Sequence, residues 1–226
     1  HLFFDDTIAI DTYEAPMTRQ LFEHVVLFDE LSSLSLAGAG LSDDDFRRLL
    51  PSESLTRLTL SRNDITDAGL GHLRAFPKLQ MLELDWNPVT GSGLQHLRGI
   101  GELQTLMLHD TELETGLQHL ADCEKLHTLS LARSFLDDEA LAQLPRLPQL
   151  RSLTLSGTRI TDRGIDALPA LASLSSLVLA ETMVTDEVIP MLTKFPNLTS
   201  LDVAGTRITG RTFATLGDLH ALRWLI

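Results

Sequence analysis

The chain has 226 residues, 43% hydrophobic and only 5% aromatic, a composition that supports one sizeable core built mainly from Leu, Ile and Val. Its formal net charge of −13 works against nucleic acid and against an anionic membrane surface as partners, because both are held by basic stripes. A lone cysteine, Cys123, rules out a disulfide framework and fits a reducing compartment, and no apolar run is long enough to span a bilayer.

Residues 1–30 read as an N-terminal cap and a degenerate leading repeat, with Ile10, Met17, Thr18, Phe22, Val25 and Phe28 in loose register with the later units. Phe3, Phe4, Phe22 and Phe28 are expected to cover that end. From Leu31 onward a period is plain. Leu31, Leu55, Leu79 and Leu103 lie 24 residues apart, Leu126 follows after 23, and Leu150, Leu174, Leu198 and Leu222 resume at 24. Each opens an L-x-x-L-x-L segment, as in Leu55, Leu58 and Leu60, which delimits eight units over 31–221 and a truncated one at 222–226. The residue missing from the short unit falls between Leu113 and Gly116, after the strand pattern, so the sheet is expected to run through unbroken.

Within each unit the hydrophobic period changes character. L-x-L is the alternation of a short strand, whereas Leu70 to Leu73, with Ile65 before them, has the spacing of a helical turn. Thr66 reads as an N-cap with Asp67 in the first turn, a pattern repeated at 160–165 and 184–186. Asp43, Asp67, Asp138, Asp162 and Asp186 all stand at predicted helix starts, where a carboxylate suits the macrodipole, so much of the acidity is structural. Phe76-Pro77 and Phe195-Pro196 end helical stretches, since proline disfavours helix in the residue before it. A unit of this kind cannot bury its own leucines. Stacked units share one core and set their strands side by side, about 4.8 Å apart, with wider helices outside, so the array curves. The predicted fold is α/β, a solenoid horseshoe with a concave parallel β-sheet and short convex helices.

This pattern resembles the leucine-rich-repeat superfamily across essentially the whole chain, and the run T-x-I-T-D-x-G-I at 158–165 is similar to its ribonuclease-inhibitor-like and cysteine-containing groups. The cysteine-containing group has Cys where this chain has Asn63, Asn87, Thr111, Ser134, Thr158, Thr182 and Thr206, a departure from F-box receptors. That column resembles the family's internal ladder, which satisfies backbone groups after each strand. Thr-rich units of this length are similar to bacterial repeat proteins, including secreted effectors. The resemblance implies a cytoplasmic protein, or one secreted to act in a host cytoplasm. Cys123 stands in the column of Phe76, Ile100, Leu147, Leu171 and Phe195, a core position and not that of a nucleophile.

Positions between and just after the strand leucines are expected on the concave face. That face is uneven: units opening at Leu150, Leu174 and Leu198 present mostly Ser, Thr, Ala and Gly. Earlier units carry Arg62, Glu83, Asp85, Trp86, Met107, His109, Asp110 and Arg133, and Phe135 and Met183 extend an apolar rim in the next loop column. Core packing does not account for the contrast, and an exposed Trp beside Arg is the composition of binding hot spots. Arg62 is expected to stack on Trp86, and Asp110 to pair with Arg133.

The function expected is a protein-protein interaction module, not an enzyme, with no cofactor and no nucleic-acid or membrane partner. The alternatives are a recognition arm of a bacterial effector or ubiquitin ligase whose catalytic part lies elsewhere, and a metal-dependent site at Asp85 and His109, the one constellation suited to acid/base work. Trp224, Leu225 and Ile226 leave the last core face open, which invites self-association.

Overall fold

The structure is a computed structural model that describes the backbone of residues 8–11 together with residues 30–209, 211, 217 and 219–226. The expectations for Phe3, Phe4, Phe22 and Phe28 fall outside these. Strands β1 (Ile8–Asp11), β2 (Leu31–Ser35), β3 (Arg57–Thr59), β4 (Met81–Glu83), β5 (Thr105–Met107), β6 (Thr128–Ser130), β7 (Ser152–Thr154), β8 (Ser176–Val178), β9 (Ser200–Asp202) and β10 (Trp224–Leu225) form one parallel sheet in sequential order. The middle leucine of each L-x-x-L-x-L segment pairs with its counterpart one repeat away: Leu58 with Leu82, Leu106 with Leu129, Leu153 with Leu177. The second of these pairs crosses the 23-residue unit, so the sheet passes through it without a break.

The strand leucines share a continuous core with the convex column Leu73, Leu97, Leu120, Leu144, Leu168 and Leu192. Cys123 is buried among them, and burial, with the nearby Asp122 carboxylate, pushes its thiol up to about 11, so it remains an unreactive core residue. The convex side holds α1 (Asp43–Phe46), α2 (Asp67–Leu70), α3 (Asp138–Leu141), α4 (Asp162–Ala167) and α5 (Val188–Met191). In the middle of the array, Ser92–Leu97 and Leu117–Asp122 are 3-10 helices instead. Each follows a glycine in the left-handed region, Gly91 (φ +113°) and Gly116 (φ +91°). A Cβ on either would strike the other loop's backbone, so the two loops pack glycine on glycine.

Two ladders tie repeat to repeat. The first is the buried Asn/Thr column. Asn63 Oδ1 accepts from the Leu41 amide (2.9 Å) while its Nδ2 donates to the Leu36 and Leu60 carbonyls, and Asn87 does the same one repeat on. Thr111, Ser134, Thr158 and Thr182 each donate to the carbonyl three residues back, so the shorter side chains close their own turn where the amides bridge two. The second ladder corrects the macrodipole reading. Asp43, Asp138, Asp162 and Asp186 each accept both the backbone amide and the hydroxyl of the next repeat's threonine: Thr66, Thr161, Thr185 and Thr209. Asp67 takes Thr90 likewise, with Ser92 Oγ as a third donor. Helices of four to six residues have little macrodipole, and these carboxylates act as inter-repeat clamps.

Candidate functional site

After the last strand residue the chain makes one more outward position and then a left-handed turn. The backbone ladder continues through this turn, with the Arg62 amide donating to the Asp85 carbonyl, Trp86 to His109, Asp110 to Ala132 and Arg133 to Ser156. Strand alternation by itself would send residues 62, 86, 110 and 133 back toward the core. A positive φ turns them out, and it recurs at this column in the repeats from residue 38 to 205: Gly38, Arg62, Trp86, Asp110, Arg133, Gly157, Glu181 and Gly205, between +52° and +68°. Glycine and Asp adopt this conformation readily, whereas Arg, Trp and Glu do so at a cost.

The side chains of this column lean toward the repeat that follows. The Arg62 guanidinium carbon lies 5.4 Å from the Trp86 ring centre, the stacking expected from the sequence. Trp86 meets the His109 ring edge-on with centres 6.0 Å apart, and remains 48% exposed. Arg133 runs over Gly157, where a Cβ would lie 2.9 Å from its Cγ. That direction takes it away from Asp110, so the expected Asp110–Arg133 pair does not form. Asp110 instead faces His109 Nε2 at 2.5 Å, an ion pair when the imidazole is protonated. Its buried Oδ2 has no other hydrogen-bond partner.

Beneath Trp86, Asp85 Oδ1 accepts the His109 backbone amide at 2.7 Å. Burial raises the Asp85 carboxyl above its ordinary value, outweighing the His109 amide and imidazole, and Asp110 adds to the rise. Glu83 and Met107, half-buried, occupy paired positions on β4 and β5. The structure thus gathers Arg62, Glu83, Asp85, Trp86, Met107, His109 and Asp110 on neighbouring repeats, with Arg133 at the margin. At that margin Ser130 and Ala132 are buried, and beyond it the corresponding positions are mostly small residues, Thr154, Ser156, Val178 and Ala180, all half-buried. Among the described residues no three His, Cys, Asp or Glu side chains converge as metal ligands, and Asp85 and His109 are engaged with a backbone amide and a carboxylate.

Phe135 stands in the next column, 46% exposed, with the Arg159 guanidinium 5.5 Å from its ring centre. This stacking was missed from sequence. The arginine follows the aromatic by one repeat here but precedes it at Arg62–Trp86, and only the spacing of 24 signals either.

A sequential parallel sheet of short strands, short convex helices and a buried Asn/Thr ladder define a leucine-rich-repeat solenoid. The family model described as Leucine Rich repeat matches residues 52–73 and 147–168. Among solved structures the chain is similar to internalin C2 of Listeria monocytogenes, at 23% identity and TM-score 0.68, covering 93% of this chain and 84% of that one. It is similar to the leucine-rich repeat domain of APL1, at 18% identity and TM-score 0.62, covering 88% and 56%. The TLR13–ssRNA13 complex is a third, at 16% and TM-score 0.67, with 97% of this chain spanning 32% of that one. At these identities the likeness is one of fold. No curated protein matches the chain by sequence. No helix among the described residues is long and apolar enough to cross a membrane.

Proposed function

We propose that the chain is a protein-binding module that takes its partner on the concave face around Trp86, with Arg62, Glu83, Asp85, Met107, His109, Asp110 and Arg133 surrounding it and Phe135 on the adjoining rim. The observation that carries this reading is the left-handed column. Where the face is smooth, that position is glycine at Gly157 and Gly205 with Glu181 between them; on the patch it carries Arg62, Trp86 and Arg133 within four consecutive repeats, side chains that strain the backbone and face away from the core. Strain kept in the absence of a packing role points to recognition. A half-exposed Trp between a guanidinium and an imidazole is a rigid anchor that loses little freedom on binding.

A protein is favoured over RNA, despite the TLR13 likeness, because a net charge of −13 opposes phosphate. The finer reading is the recognition arm of a bacterial effector or ubiquitin ligase acting in a host cytoplasm, and it rests on the similarity of the Thr-rich 24-residue units to bacterial repeat proteins. The full-length gene tests that finer reading. For the binding site, a partner captured with the parent protein is titrated against parent and Trp86→Gly. A loss of about thirtyfold is expected, and equal affinities would remove this patch as the site.

A further inference from the structure

One column beyond the left-handed turn, the loop carries Asp64, Pro88, Glu112, Phe135, Arg159, Met183 and Arg207 in successive repeats. The last four are locked in step by backbone bonds: the Arg159 amide donates to the Leu136 carbonyl, Met183 to Ile160 and Arg207 to Val184, each at 3.0 Å. They alternate apolar and cationic, and all are exposed, Phe135 at 46% and Met183 at 38%. Packing does not explain two large apolar side chains held in water.

Most Lys and Arg among the described residues carry no ion pair, and both arginines of this strip are of that kind. Arg47, Arg48 and Lys125 are paired with Asp44, Asp45 and Glu102. Arg159 and Arg207 have no carboxylate within ion-pair distance among the described residues, on a chain with 31 acidic residues and 18 Lys and Arg. Arg159 lies over the Phe135 ring, 5.5 Å from its centre, which fixes the guanidinium in place while its N–H edges remain free to take a carboxylate. The same column at the other end of the array is acidic, at Asp64 and Glu112, so the cationic character is confined to this stretch.

From these features we propose that the rim strip Phe135–Arg159–Met183–Arg207 is a docking site for an acidic segment of a protein partner, its carboxylates meeting Arg159 and Arg207 and its apolar side chains meeting Phe135 and Met183. Glu181, in the neighbouring column over Gly205, sets a repulsive border on the concave side. The rim strip shares Phe135 with the concave site but does not rest on Trp86.

The test is selection of a phage-displayed random peptide library on the immobilised full chain. Enriched peptides should combine Asp or Glu with Leu, Ile or aromatic residues, and their capture should fall as salt rises. A doubly charge-reversed variant, Arg159→Glu with Arg207→Glu, should bind the enriched peptides at least about tenfold more weakly. Trp86→Gly should bind them like the parent, with thermal melts confirming that both variants fold. No enrichment, enrichment of basic or uncharged sequences, or equal binding by the charge-reversed variant would each overturn the proposal. Peptides lost with Trp86→Gly and kept by the charge-reversed variant would overturn the rim site while supporting the concave one.

Discussion

Arg62, Trp86, Arg133 and Glu181 hold φ between +53° and +60°, a region that costs an L-residue other than Asn or Asp roughly 1–2 kcal/mol. Glycine removes that cost but adds freedom to the unfolded chain, roughly 0.5–1 kcal/mol in the opposite sense. Glu181→Gly should therefore leave stability unchanged or raise it by up to about 1.5 kcal/mol, measured by chemical denaturation. A clear loss would show that the side chain, not the backbone, dominates there. Asp85 gives a pH prediction of the opposite sign to most carboxylates. Its folded value is raised, so its contribution is fully present below the unfolded value and is lost as pH rises through the folded one. Asp85→Asn keeps an acceptor for the His109 amide and removes the buried charge. It should stabilise the protein at neutral pH and flatten the acid-side dependence, and a less stable variant at neutral pH would contradict this. The patch was legible in the sequence because the large side chains Arg62, Trp86 and Arg133 cluster within four consecutive repeats, while the later repeats present mostly small residues. Its geometry was legible only in part: nothing in Arg62 or Trp86 advertises a positive φ, and the signal was the glycine at the same step in Gly38, Gly157 and Gly205.

The convex elements are held less by their own short helices than by the clamps between them. Asp162 accepts the Thr185 amide at 2.9 Å and its hydroxyl at 2.7 Å, and Asp162→Ala leaves both donors without that partner. A cost of about 1–3 kcal/mol is expected, seen in a denaturation midpoint, and a neutral result would return this residue to the bland role of a first-turn carboxylate. Asp67 carries the same clamp with a titration attached. Burial alone would raise its carboxyl, but donation from Ser92, Thr90 and the Gly93 amide outweighs that and holds it below its ordinary value. Its stabilisation is present above the unfolded value and is lost as pH falls through the folded one, so Asp67→Asn should weaken the acid-induced loss of stability. These clamps were hidden in the sequence because the threonine partner lies 23 residues away, where Thr66 and Thr161 also read as N-caps. The helix type at 92–97 and 117–122 was hidden for a related reason. Gly91 and Gly116 are each unremarkable until the other is placed against it.

Across the whole molecule the fold was legible because one weak signal, a leucine at every fourth and sixth place of a segment, is repeated at a fixed period until no other architecture fits. Function has no such repetition to average over, so the site had to be read from departures. The same one-dimensional design governs how damage spreads. Leu153 is fully buried, with Leu129 and Leu177 directly in register on the strands either side. Leu153→Ala should cost about 2–5 kcal/mol through lost burial and the cavity left behind. Because each repeat packs only on its neighbours, the lost protection should not stay in β7. Hydrogen exchange should quicken in β6, β7 and β8 together and return to parent values toward β3, while binding at Trp86, three strands from β7, persists. Quickening confined to β7 would mean that the units are independent, and an unchanged midpoint would mean that Leu153 does not belong to the shared core.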